Sequence, residues 1–234
     1  MMKKLIFASC LFITATGVCA VEKITSEALE LDAVLQLEKS GDLSTAESKL
    51  SQLFDQATDN PSVRLAYGRV LTKLAKSSQA IEVLSPLTSQ SQQDWRPWFW
   101  TGTAMLLNNE LENAGAYLDE ALAREGEEVS IWVQRAIVEQ EKNNSQASVY
   151  MLQVADNLQP GNPDVMLNFA YANEAIGEIN KSIIAYKHFL KSSTSDKQYG
   201  KLRSLVLLRL AEIENARKKQ ALDKVKEVTT VNNI

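Results

Sequence analysis

The sequence has few of the residue types from which catalytic and metal sites are built. His188 is its only histidine, and its two cysteines, Cys10 and Cys19, both lie close to the amino terminus. A general base needs a positioned partner, and a zinc site needs several nitrogen or sulfur ligands, so neither is predicted. The isolated glycines Gly161 and Gly200 do not form a phosphate-binding loop. We therefore predict no enzymatic activity, no cofactor, no metal and no small-molecule substrate.

The first residues carry the pattern of an export signal. Lys3 and Lys4 precede an apolar run that is shorter than the ~20 residues of a membrane-spanning helix. Val18-Cys19-Ala20 supplies the small residues that are typical of a cleavage site before Val21. We expect residues 1–20 to be a signal peptide and the mature chain to be periplasmic or secreted. Two alternatives stay open: lipidation of Cys19, which would anchor the protein in the outer membrane, and a retained membrane anchor.

Acidic residues outnumber basic ones in this sequence, with 29 Asp and Glu against 25 Lys and Arg. The formal net charge is −4, and loss of Lys3 and Lys4 with the signal peptide would make it −6. Nucleic acids and anionic membranes attract proteins that carry an excess of Lys and Arg. We therefore expect no nucleic-acid partner, and membrane contact only indirectly or through a lipidated Cys19.

The sequence does contain a 34-residue repeat, which begins near Glu27 and is best formed from Trp95 to Leu122. Small residues recur at one position of each half of the repeat, where we expect two helices to approach closely. In the first half these residues are Val34, Gly68, Gly102, Ala136 and Ala170. In the second half they are Ala46, Ala80, Ala114, Ser148 and Ser182. A period of this length indicates a helical solenoid, in which each copy buries its apolar face against its neighbours.

The repeat resembles the tetratricopeptide repeat. Gly41-Asp42-Leu43-Ser44-Thr45-Ala46 and Gly177-Glu178-Ile179-Asn180-Lys181-Ser182 match the turn and the start of the second helix in that family. The resemblance covers Glu27 to about Ser195. It implies an all-α fold, a right-handed superhelical solenoid of about five helix-turn-helix repeats.

A capping helix is predicted after the last repeat, from Lys201 to about Lys219, so that the solenoid and its cap occupy residues 21–219. Four apolar residues of this helix are expected to face the core: Leu202, Leu205, Leu208 and Ile213. Residues 220–234 are predicted to form a disordered tail.

The resemblance also implies a binding surface, because in this family the first helices of successive repeats line a concave face. After Leu31 and Leu35, the corresponding residues are Leu65, Arg69, Arg96, Phe99, Trp100, Thr103, Val133, Ile137, Leu167 and Tyr171. Their apolar members would form a strip wider than the fold requires, which is typical of an interaction surface. Arg69 and Arg96 would fix the direction of the partner. For Leu167 the alternative is a role in core packing alone. Trp98 is expected to supply the aromatic packing of its helix, so Trp100 is the expected anchor for the partner.

The function that the resemblance implies is a non-enzymatic protein–protein interaction scaffold, which binds a peptide segment of an envelope complex in its groove. A signal peptide followed by such repeats also resembles the accessory proteins of pilus-assembly and secretion machines, including Flp/Tad-type factors. The alternatives are a periplasmic chaperone, a polysaccharide-export accessory factor and, with least support, a hydrolase.

Overall fold

The computed structural model describes residues 15–57, 59–90 and 93–231, with side chains from residue 28 to residue 223. Most of the predicted signal peptide, including Cys10, and the last three residues of the predicted tail lie outside the described residues. The chain divides into two compact units, Met1–Gln92 and Gln93–Ile234. Each unit is built from helices that pack on their neighbours in sequence.

The first unit contains two helical hairpins. Its helices are α1 (Ala15–Ser40), α2 (Leu43–Gln56), α3 (Pro61–Lys73) and α4 (Ser77–Gln90). Helix α1 is continuous across the cleavage point predicted before Val21, so cleavage there would remove only its first residues.

The second unit contains three hairpins and a long final helix. Its helices are α5 (Trp95–Leu107), α6 (Leu111–Arg124), α7 (Val129–Glu141), α8 (Ser145–Leu158), α9 (Pro163–Ala175), α10 (Ile179–Ser192) and α11 (Gly200–Val231). A short 3₁₀ turn, Lys197–Tyr199, precedes α11. No helix in the described part of the chain is long and apolar enough to cross a membrane.

The turn inside each hairpin repeats the same backbone geometry. Five residues spaced by the repeat length have a positive φ, between 56° and 86°: Gly41, Ala75, Asn109, Asn143 and Gly177. This left-handed conformation ends a helix and is readily adopted by Gly and Asn. Several first helices begin with a side-chain cap, as where Asn60 Oδ1 accepts from the backbone N–H of Ser62 at 3.0 Å.

The small residues occupy the close contacts between helices, as predicted. All ten residues of the two small positions are buried. A Cβ added to Gly68 would lie 2.3 Å from Cγ of Leu84, and one added to Gly102 would lie 2.9 Å from Cγ of Leu118. Larger side chains at these two positions would therefore separate the helices of their hairpins.

The final helix differs from its prediction. Val206 and Ile213 are buried, whereas Leu205 and Leu208 are 50% and 59% exposed. Tyr199 in the preceding 3₁₀ turn is buried against Phe189 of α10, with ring centroids 5.7 Å apart. Tyr199 and Val206 keep the 34-residue register, because they hold the repeat positions of the buried residues Val165 and Ala172. Leu205 and Leu208 fall at the positions of Tyr171 and Glu174, which are not buried in α9 either. The expectation that Leu205 and Leu208 face inward is therefore wrong.

Helix α11 also ends later than predicted. It continues to Val231 instead of ending near residue 219, and residues 220–231 contain no Gly or Pro, the residues that most strongly interrupt a helix. The disordered state of residues 220–234 stays a prediction. The all-α fold class and the series of paired helices are confirmed by the architecture.

Candidate functional site

The predicted partner-binding residues fall mainly on two positions of the repeat, which we call the floor and rim positions. The floor position holds Leu65, Phe99, Val133 and Leu167, and the rim position holds Arg69, Thr103, Ile137 and Tyr171. Phe99, Val133 and Leu167 are only 6–7% exposed. They therefore contribute packing and the base of a surface, while Ile137 and Tyr171 offer more area to a partner.

In the second unit a cavity of about 340 Å³ opens between α7 and α9, and we call it the α7–α9 cavity. Val133 and Ile137, two predicted residues, form its apolar side. Five side chains with amide or hydroxyl groups complete much of the lining: Ser130, Gln134, Gln159, Asn162 and Asn168. Gln134 and Asn168 share the repeat position of Trp100, one residue after the floor position. That shared position is the sequence signal that could have identified them.

The α7–α9 cavity carries two carboxylates. Glu128 Oε1 accepts hydrogen bonds from the backbone N–H and the hydroxyl of Ser130, at 3.2 Å and 2.9 Å. Asp164 Oδ1 accepts from the hydroxyl of Tyr199 at 3.0 Å. Burial, together with the charge of Asp164, raises the pKa of Tyr199 to about 12. Because both acids line the cavity and none of its described lining residues is cationic, its field favours a positively charged ligand group.

A second cavity, of about 510 Å³, lies beside Tyr171 and is lined by Glu174, Tyr186 and Arg209 as well. Glu174 joins the other two residues: it accepts from the Tyr186 hydroxyl at 2.9 Å and forms an ion pair with Arg209. The hydrogen bond from Arg209 is the main reason that the pKa of Glu174 lies below its usual value. Burial and the bond to Glu174 raise the pKa of Tyr186.

The repeat pattern of the sequence carries a signal for this group. Glu38 and Glu174 lie four repeats apart at the same position, and so do Lys73 and Arg209. In the first unit Lys73 Nζ lies 2.7 Å from Glu38 Oε1. The same acid–base pair therefore occurs in each unit.

The aromatic cluster of α5 contains the predicted anchor. Trp98 packs inside its hairpin, with its ring 5.3 Å from that of Tyr117 and 4.4 Å from the guanidinium of Arg124. Trp100 is half-buried and makes an edge contact with Phe99 at 5.0 Å. This placement assigns packing to Trp98, while the binding role of Trp100 stays a prediction.

The two predicted directing arginines lie in different units and both contact acids of their own chain. Arg69 forms an ion pair with Glu38. Arg96 is 57% exposed in its side chain and pairs with Asp94 at 2.7 Å, which raises the pKa of Arg96 and lowers that of Asp94. Exposed pairs of this kind contribute little stability, so Arg96 can exchange its acid for one on a partner.

His188 is exposed on α10 and lines a cavity of about 400 Å³ with Lys181, Ile184 and Phe169. Among the residues that the structure describes, no group of three His, Cys, Asp or Glu side chains is placed to hold a metal ion.

Comparison with known proteins bears on family and fold. The tetratricopeptide-repeat family model matches residues 37–99, and no curated protein matches the chain. A tetratricopeptide-repeat protein of Thermus thermophilus is 17% identical, has a TM-score of 0.70, and the match covers 78% of this chain and 99% of that one. MamA is 16% identical with a TM-score of 0.57, over 74% of this chain and 94% of that one.

A third structure, the anaphase-promoting complex hetero-tetramer Cut9-Hcn1, contains a chain that is 17% identical with a TM-score of 0.66. That match covers 78% of this chain and 36% of the other. At these identities the likeness to solved structures shows the fold alone. The match of the family model supports the tetratricopeptide-repeat family over residues 37–99.

Proposed function

We propose that this chain is a non-enzymatic protein–protein interaction scaffold of the bacterial cell envelope, and that it binds an extended segment of a partner along α7 and α9. The repeat family supports a scaffold of this general kind, since its members are generally non-catalytic and bind other proteins. The observation that carries the more specific proposal is the α7–α9 cavity, which combines an apolar side, amide groups and two acids.

Each part of this cavity matches one part of an extended peptide. Ile137, with the buried Val133 beneath it, offers apolar area to a side chain. A side-chain amide can both donate and accept, so Gln134 is suited to the N–H and C=O groups that an extended main chain presents. Glu128 and Asp164 favour a Lys or Arg next to the apolar side chain.

The predicted aromatic residues would extend this contact at both ends. Trp100 lies one repeat before Gln134, at the same repeat position. Tyr171 lies one repeat after Ile137, at the same repeat position. Tyr171 is 40% exposed and its ring lies 5.7 Å from Tyr186. Aromatic residues commonly dominate the energy of such interfaces.

The predicted signal peptide supports placement of this scaffold in the periplasm, where it would serve an envelope complex such as a pilus-assembly or secretion machine. A periplasmic chaperone or polysaccharide-export factor is the alternative. The two classes differ in their clients: a scaffold captures one or a few defined partners, whereas a chaperone captures many unfolded chains.

Site-specific photocrosslinking in cells tests the proposal. A photoreactive amino acid at Gln134 should give one or a few discrete adducts, whereas the same group at Tyr150, 67% exposed on α8, should not give them. Equal adducts from both positions would refute binding at the α7–α9 cavity. A broad smear of clients from Gln134 alone would favour the chaperone.

Two tryptophan substitutions separate binding from packing. Trp100→Ala should reduce capture of the crosslinked partner at nearly unchanged melting temperature, because truncation of an aromatic anchor commonly costs ~2 kcal/mol of binding energy or more. Trp98→Ala should lower the melting temperature, because Trp98 contacts Tyr117 and Arg124. A Trp100→Ala protein that unfolds early, or that still captures its partner normally, would remove Trp100 from the binding surface.

A further inference from the structure

The outer face of α11 carries exposed leucines that no described helix covers. Leu205, Leu207, Leu208 and Leu222 are 50–59% exposed. At about 100° per residue, Leu208 lies on the side of the helix opposite Val206, which is buried. The other hairpin helices of this unit are 13 or 14 residues long, whereas α11 has 32 residues.

The spacing along this face is that of a helix-pairing surface. Leu208, Ala211, Asn215 and Leu222 are all exposed and, with Lys218 between the last two, follow one another at alternating spacings of three and four residues. Apolar residues at this spacing, with an Asn among them, are typical of helices that pair side by side, where the Asn selects the register. We call these four residues the α11 seam.

The charges nearest to Asn215 beside the α11 seam change sign there. Glu212 and Glu214 precede it, and Lys218 and Lys219 follow it. Glu214 now pairs with Lys218 at 2.9 Å, and both side chains are about two-thirds exposed or more. Exposed pairs within one helix contribute little stability, so they can exchange for pairs between two molecules.

We infer that the occupant of the α11 seam is the α11 helix of a second copy of this chain, paired antiparallel about Asn215. This arrangement places Leu208 against Leu222 of the second copy and Glu212 next to its Lys219. It also brings the two Asn215 amides together, where each can donate to the other. The contact is then the same on both copies, as a two-fold dimer requires.

Parallel pairing fits less well. It would place Lys218, which lies on the seam side of the helix, against Lys218 of the second copy, and like charges repel. Antiparallel pairing instead places Lys218 near Glu214 of the second copy. The charge pattern therefore selects the orientation as well as the partner.

The size of the face predicts a weak, reversible dimer. From Leu205 to Leu222 it spans about 25 Å at 1.5 Å per residue. A single helix face of that length buries less than the ~800 Å² per partner of a standard stable interface. Dimerisation is therefore expected to depend on protein concentration in the micromolar range.

Sedimentation velocity of the full chain over a range of concentrations tests the inference. Leu208→Glu should raise the dissociation constant at least tenfold, whereas Leu107→Glu, at a leucine 51% exposed on α5, should leave it unchanged. Glu212→Lys and Lys219→Glu should each weaken the dimer, and the two changes together should restore it, because they exchange a pair that only antiparallel helices form.

A distance measurement checks the orientation. With Cys10 and Cys19 replaced by Ser, a nitroxide attached at Ser204→Cys should report about 35 Å between copies in the antiparallel dimer and about 10 Å in a parallel one. The short distance would overturn the inference, and so would a wild-type chain that stays monomeric at all concentrations. A dimer that survives Leu208→Glu would place the contact elsewhere, residues 1–20 included. Loss of binding to phosphatidylcholine–phosphatidylglycerol vesicles on Leu208→Glu, without any dimer, would make a lipid surface the occupant instead.

Discussion

Substitution of Gly68 by Ala tests the packing of the repeat at one atom. An added Cβ would lie 2.3, 2.4 and 2.9 Å from Cγ, Cδ2 and Cδ1 of Leu84. Relief of such overlap usually costs about 1–3 kcal/mol, and the gain in helix propensity from Gly to Ala returns about 1 kcal/mol. Because all three distances are below 3.0 Å, the cost lies at the upper end of this range, and we expect Gly68→Ala to reduce the free energy of unfolding by about 2 kcal/mol.

Gly115 provides a matched control in a helix of the second unit. A Cβ there would meet its first neighbour, Cζ of Arg135, at 3.6 Å, which is an ordinary contact. Gly115→Ala should therefore keep the propensity gain and stabilise its unit by up to about 1 kcal/mol. Both substitutions add one methyl group to a helix, but Gly68→Ala should lower the free energy of unfolding and Gly115→Ala should raise it.

The assay is denaturant unfolding followed by far-ultraviolet circular dichroism and by tryptophan fluorescence. All four tryptophans lie in the second unit, so fluorescence reports that unit, while circular dichroism reports both. Gly68→Ala should shift the dichroism curve, and Gly115→Ala should shift both signals. In a Leu84→Ala background, which removes the opposing atoms, Gly68→Ala should become neutral or stabilising. A Gly68→Ala protein as stable as wild type would refute the close contact.

Four further outcomes are expected. Ala114→Leu should cost about 1–3 kcal/mol in denaturant unfolding, because Ala114 is 0% exposed between its helices; stability equal to wild type would place the residue elsewhere. Ala75→Gly should stabilise the first unit by roughly 0.5–1 kcal/mol, since Ala75 has a φ of 56°, and the same change at Asn109 should gain less. The pKa of Glu174 is lowered in the folded protein, so its carboxylate stabilises the fold above the ordinary glutamate pKa of 4.5 and loses that effect as the pH falls through the folded pKa. The free energies of unfolding of Glu174→Gln and wild type, measured over a range of acid pH, should therefore converge at low pH. Intact-mass measurement of the protein extracted from the envelope should give an amino terminus at Val21, and a diacylglyceryl-modified Cys19 would contradict cleavage after Ala20.

The repeat period and the small positions could be predicted from the sequence because they follow from local geometry that every copy shares. A turn residue such as Gly41 must adopt a positive φ, and a residue such as Gly68 must leave room for a leucine of its own hairpin. Both constraints act within about one repeat, so the pattern recurs every 34 residues and can be recognised without a structure. These elements determined the fold class.

The tertiary structure decided what happens where the repetition ends and which side chains reach the surface. Leu205 and Leu208 hold the repeat positions of Tyr171 and Glu174, and their exposure depends on whether another helix packs over them. No described helix does so, and the two leucines were therefore assigned to the wrong side. Exposure at the floor and rim positions depends on the neighbouring helices: Phe99 and Tyr171 both look like groove residues in the sequence, yet they are 6% and 40% exposed. The sequence by itself determined the repeating hairpin, because its packing is local, whereas the surfaces available to partners were decided by the particular side chains that neighbouring hairpins place over each position.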